Sequence, residues 1–167
     1  MMIKQKRQST EDLDFALLEM PEHILQQNTI IRSNIQRAEI SAKTSPIPFA
    51  KEFKEAVKIV AGRNSLPHDW MNDEAAQYYY DDAPQADILF WHSFERIIYV
   101  YLPTMEYMLA TKIAAYRQKD VEDIIALLQA LHVQTQDEVR AIVDTFLLPE
   151  AQEFWEVEKT LKFLFLH

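Results

Sequence analysis

Residues 87–104 read Asp87-Ile88-Leu89-Phe90-Trp91-His92-Ser93-Phe94-Glu95-Arg96-Ile97-Ile98-Tyr99-Val100-Tyr101-Leu102-Pro103-Thr104, and this stretch decides the fold class. Asp87–Trp91 and Ile97–Leu102 are dense in β-branched and aromatic side chains, which suit a pleated, half-buried surface. His92–Arg96 between them has the length of a hairpin connection. After Pro103 the pattern turns helical. Thr104 is placed to cap a helix reaching about Arg117. A second helix is expected from Asp120 to about Leu131, with Val121, Ile124, Ile125 and Leu128 as its apolar stripe. Thr135 and Glu138 have the spacing of a capping box opening a third, with Val139, Ile142, Val143 and Phe146 inward and Pro149 at its end. A last amphipathic segment covers Phe154–Leu166. A small sheet followed by a helical half makes the class α+β.

Upstream the signals are sparser. Lys43-Thr44-Ser45-Pro46-Ile47-Pro48 is the densest punctuation in the chain. Phe49, Phe53, Ala56, Val57 and Val60 then recur at helical spacing, predicting a helix of about 13 residues that ends near Gly62, with Pro48 in its first turn. Residues 63–86 read as loop with one short helix at most, and Trp70 and Trp155 read as core or interface anchors.

Composition removes several functional classes. The chain has 167 residues, 49% hydrophobic and 26% charged, so it can form a sizeable core without staples. It has no cysteine, which excludes disulfides, cysteine-held zinc, iron–sulfur clusters and a thiol nucleophile. Its one glycine, Gly62, excludes a GxGxxG turn or a P-loop, both of which bring bare backbone to phosphate at several positions. The five histidines show no i, i+4 pair, so a histidine metal site is set aside. The net charge is −9, and the largest basic run is Lys4-Gln5-Lys6-Arg7, a poor footing for nucleic acid. No apolar run reaches the ~18 residues of a membrane span. Met1-Met2-Ile3 gives way at once to charge, unlike a secretory leader, so a cytoplasmic location is expected.

Three places carry residue types suited to chemistry. In Thr10-Glu11-Asp12-Leu13-Asp14-Phe15, a strand puts Asp12 and Asp14 on one face and Leu13 and Phe15 on the other. Two such carboxylates can hold a hard cation such as Mg²⁺; by pattern alone an acidic edge strand, or an N-terminal helix capped by Thr10, is the plainer reading. Lys112 sits between Met108 and Tyr116 in the stripe Met105, Met108, Leu109, Tyr116. There it either reaches an anion, a protein carboxylate or a ligand phosphate, or snorkels to water. In Lys119-Asp120-Val121-Glu122-Asp123, Asp120 falls at an N-cap and Asp123 at the third helical position, and capping accounts for both.

Taken in order, these segments resemble a known family. Arg7-Gln8-Ser9-Thr10-Glu11-Asp12-Leu13-Asp14 is similar to the R-x-[ST]-T-x-D-[IL]-D segment of minimal nucleotidyltransferases of the DNA polymerase β superfamily, toxin-type and abortive-infection-like members in particular. Leu66-Pro67-His68-Asp69-Trp70-Met71-Asn72-Asp73 looks like a W-l-N-d stretch of such proteins. Leu102 to Ile124 resembles their segment with a helix lysine followed by R-D-x-x-D, the most specific match of the three. The resemblance implies that Asp12 and Asp14 bind Mg²⁺ and the phosphates of a nucleoside triphosphate, and that Lys112, Asp120 and Asp123 lie near the nucleotide. Asp87, Glu95 and, more weakly, Glu39 are the candidates for a third carboxylate.

Family members carry a strand and a Gly-Gly or Gly-Ser turn upstream of the two aspartates, and no glycine precedes Asp12 here. The first strand and turn are therefore expected to be missing. This gives a truncated nucleotidyltransferase-like α/β part over 1–102 and a helical part over 103–167, forming one compact unit. The implied function is Mg–NTP binding with nucleotidyl transfer weak or lost. The alternative is an inactive remnant serving as a protein-interaction module in a toxin–antitoxin or phage-defence setting. An RNA or a protein would be the acceptor. The exposed edge of the Asp12–Asp14 strand calls for a homodimer or a protein partner.

Overall fold

The structure is a computed structural model that describes residues 13–18, 20, 28–45 and 47–165. Asp12 and the basic run at 4–7 lie outside the described residues. The protein is α+β, with short strands and a helical second half. The chain divides into two compact units, each built from two segments: residues 1–17 with 36–78, and residues 18–35 with 79–167.

The first unit holds strand β1 (Leu13–Asp14), which pairs in parallel with β4 (Met71–Asn72), Leu13 opposite Met71 and Asp14 opposite Asn72. The Leu13 amide donates to the Trp70 carbonyl at 2.6 Å, and that of Phe15 to the Asn72 carbonyl at 3.0 Å. Helix α1 (Ala50–Asn64) buries Ala50, Val57 and Ala61. Ala38, Ile40 and Ala50 form the core, with Phe15, Leu17, Ile47 and Phe53 packed on it and the Phe15 and Phe53 rings 5.0 Å apart. The predicted stripe was displaced: Phe49 and Val60 are exposed. The helix also runs through Gly62 and stops at Ser65, which takes the left-handed conformation (φ 56°) and returns its amide to the Ala61 carbonyl.

The second unit is organised on a sheet of order β2-β3-β5-β6, formed by β2 (Leu17–Leu18, whose first residue is counted with the other unit), β3 (Ile31–Gln36), β5 (Gln85–Phe94) and β6 (Ile98–Pro103). β3 and β6 are both antiparallel to β5. Ser33, Ile35, Ala86 and Ile88 are its buried positions. The expected hairpin is present but longer in its first arm and tighter in the turn. Glu95 and Arg96 both have positive φ (51° and 56°), and the Ile97 amide closes the turn onto the Phe94 carbonyl at 2.9 Å. Two left-handed residues match the twist of the flanking strands, a geometry usually given to Asn-Gly.

The strand-to-helix change read at residue 103 is where β6 ends and α3 (Met105–Ala115) begins. Thr104 caps α3 as predicted, accepting from the Tyr107 amide at 3.3 Å. Helix α2 (Glu74–Asp82) lies between β3 and β5 in the chain; α4 (Val121–Ala130), α5 (Gln136–Phe146), α6 (Pro149–Phe154) and α7 (Val157–Phe165) follow α3. The capping box at Thr135 and Glu138 is formed in both directions. The expected last segment, Phe154–Leu166, holds α7, while α6 before it, opened by Pro149, was not foreseen; the two are separated at Trp155-Glu156, where Glu156 is left-handed (φ 52°). α3 packs on α4, α5 and α7. Leu109, Ile113, Ile124, Val139, Val143, Val157 and Leu161 are fully buried between these helices, each contributing about 1.5–3 kcal/mol. Among the described residues no helix is long and apolar enough to cross a membrane.

Candidate functional site

Lys112, Asp120 and Asp123 meet where α3 gives way to α4. The buried face of α3 is Tyr107, Ala110, Thr111 and Ala114 with Leu109 and Ile113. Met105 is exposed and Met108 and Tyr116 half-buried, so Lys112 lies on the outer flank of the helix and not in the middle of its buried side. Tyr116 ends the helix in the left-handed region (φ 34°), and a single 3-10 turn (Gln118–Asp120) leads into α4. That reversal brings the start of α4 back beside the last turns of α3.

Asp120 does not cap α4 with its side chain. Its carboxylate is 2% exposed and is held by two cations. Lys112 Nζ donates to Oδ1 at 2.8 Å, and Arg117 Nε to Oδ2 at 2.6 Å. Lys112 Nζ also donates to Asp123 Oδ2 at 2.9 Å. Of the two readings of Lys112, the protein's own carboxylates are the anion it finds, with its side chain still 21% exposed. Burial works against the Lys112 ammonium, but the hydrogen bonds and attraction of Asp120 and Asp123 outweigh it and hold its pKa above the usual lysine range. Burial likewise works against the Asp120 carboxylate, and Arg117 and Lys112 outweigh it and hold its pKa below the usual range. Lys112, Arg117, Asp120 and Asp123 together carry no net charge.

Asp14 is exposed on β1, in register with Asn72 of β4. The Asn72 carbonyl oxygen on the side chain accepts from the Glu74 amide at 3.0 Å, at the start of α2. An exposed carboxylate is a fitting hard ligand for Mg²⁺. Among the described residues no group of three or more His, Asp or Glu side chains is placed to hold a metal; Asp12, its expected companion, lies outside them.

The candidates for a further carboxylate have local duties. Asp87 takes a bidentate pair from Arg32, Nε to Oδ1 at 2.7 Å and Nη2 to Oδ2 at 2.8 Å. Glu39 accepts from Arg37 Nε at 2.7 Å, and Glu95 forms the hairpin turn. The carboxylate that sequence reasoning passed over is Asp73. It is 4% exposed and accepts from the backbone amides of Ile40 and of Ser41 (2.6 Å), while its own amide donates to Ser41 Oγ at 3.2 Å. The W-l-N-d stretch thus pins the loop at Ile40-Ser41 through Asp73, and α1 through Trp70 Nε1, which donates to the Val57 carbonyl at 3.1 Å. Trp155 is a comparable anchor in the other unit, donating to Asp82 Oδ2 at 2.9 Å.

No protein-family model, curated protein or solved structure matches the chain. The local geometry and the motif resemblance therefore carry the functional reading.

Proposed function

We propose that this protein binds a magnesium–nucleoside triphosphate in the manner of a minimal nucleotidyltransferase, with nucleotidyl transfer weak or lost. The observation that carries the reading is the meeting of Lys112, Asp120 and Asp123 in one cluster, since the motif resemblance joins these same three residues beside a nucleotide. The α+β class agrees with it at the coarse level.

Asp12 and Asp14 are the residues that would hold Mg²⁺, which when bound would neutralise phosphate charge and favour in-line attack on the α-phosphate. Asp120 and Asp123 fix the Lys112 ammonium through two of its three N–H donors. Because the cluster is neutral, its pull on a highly charged triphosphate is small, and this supports weak or lost transfer. The same neutrality favours the second reading, an inactive remnant that acts by binding another protein.

The test is calorimetric titration of Mg²⁺–NTP into the full chain, with an Asp12→Asn, Asp14→Asn double variant alongside. Saturable heat in the natural protein and its loss in the variant are expected. Equal heats, or none in either, sink the nucleotide reading and leave the interaction module.

A further inference from the structure

The outer face of the β5–β6 hairpin is divided. Residues directly opposite in antiparallel strands share a face, and on this face β3 and the start of β5 present Arg32, Asn34, Gln85 and Asp87, as expected beside water. Further along, the same face turns apolar. Leu89 stands opposite Leu102, exposed His92 opposite Val100 and Phe94 opposite Ile98, so His92 is the one polar side chain among these pairs, and Trp91 occupies the irregularity between Phe90 and His92. Leu89, Leu102, Phe94 and Ile98 are exposed, as are Trp91 (60%) and Ile97 at the tip (81%). Together these six side chains offer on the order of 700 Å² of apolar surface, above a monomer's usual largest patch and close to the ~800 Å² per partner of a stable interface. β6 is also the last strand of its sheet, with no second strand partner among the described residues.

We propose that this apolar half-face seats the same half-face of a second copy of this chain, giving a two-fold dimer. A sheet face is self-complementary: turned about a two-fold axis, it meets its own copy with the apolar side chains of both inside, as two sheets pack face to face. Charge selects the same surface. A chain of net charge −9 repels its own copies over most of its exterior, yet residues 88–103 hold one glutamate and one arginine, neighbours at the turn, and no other side chain of fixed charge. The contact is distinct from the edge of β1.

Sedimentation velocity of the full chain over a wide concentration range tests this. A monomer–dimer equilibrium is expected, and Trp91→Ala with Ile98→Lys should raise its dissociation constant more than about tenfold; both residues are more than half exposed, so circular dichroism should be unchanged. Ile125→Lys, exposed on α4, should leave the equilibrium alone. The natural absence of cysteine supplies a second measurement: Val100→Cys, mid-way along β6, should cross-link to itself with a short bifunctional maleimide, and Ile125→Cys should not. A monomer at every concentration, a dimer indifferent to the hairpin substitutions, or a hairpin that binds only a different protein overturns the proposal.

Discussion

Asp120 shows how one side chain can hold a junction. Neutralising a carboxylate 2% exposed between Lys112 and Arg117 removes the anion these two cations share and leaves Lys112 on Asp123. Asp120→Asn is expected to cost about 3 kcal/mol, as for other broken buried pairs, whereas Arg117→Ala, removing a side chain 57% exposed, should cost about 1 kcal/mol or less. The sign of the pH dependence follows from the depressed pKa of Asp120. The unfolded chain takes up the proton first, so the contribution is full above the ordinary value of 3.8 and is lost as pH falls through the lower native value. Urea unfolding should find natural protein and Asp120→Asn far apart at pH 7 and converging as pH falls below 3.8. A gap that does not narrow in acid would mean that Asp120 acts by shape and not by charge. The sequence made Lys112 conspicuous, and it placed Asp120 and Asp123 at helix-start positions. It could not show that the tight reversal at Tyr116 folds the second pair back onto the first. Asp73 was less legible still, because its partners, the amides of Ile40 and Ser41, are more than thirty residues away and backbone amides leave no mark in a sequence.

At the scale of elements, local signals were read correctly where a side chain bonds its own turn. Thr104 and Thr135 cap the helices they were expected to cap. Signals failed where a residue takes an unfavoured conformation under tertiary pressure. Ser65, Glu95, Arg96 and Glu156 are left-handed without being glycine, so the end of α1, the hairpin turn and the α6–α7 break had no glycine to announce them. Each such residue stores about 1–2 kcal/mol. Replacing Glu95 by Asn and Arg96 by Gly should release part of that at the hairpin and raise stability by about 1–2 kcal/mol. Thermal unfolding checks this, and an unchanged or lower midpoint would mean that Glu95 or Arg96 makes compensating contacts.

The whole chain is interleaved, each unit taking one segment from before residue 36 and one from after it. The change of local structure at residue 103 was legible, but it lies inside the second unit, where sheet and helices belong together. A fragment starting at residue 79 keeps every helix from α3 onward but loses β3, whose Ile31 and Ser33 lie opposite Ile88 and Ala86. Such a fragment is expected to lack a cooperative unfolding transition and to aggregate; co-expression with residues 18–35 should restore solubility. A fragment that unfolds sharply by itself would show that β3 contributes little.

That interleaving also bears on synthesis. Arg32 and Asp87 are 55 positions apart, so β3 leaves the ribosome well before the strand that answers its amides. Residues 36–78 can close with the first segment while β3 still waits in the nascent loop between them. Until Phe94 has cleared the exit tunnel, this strand is open to any other unfinished chain nearby, and slower translation would lengthen that interval of hazard.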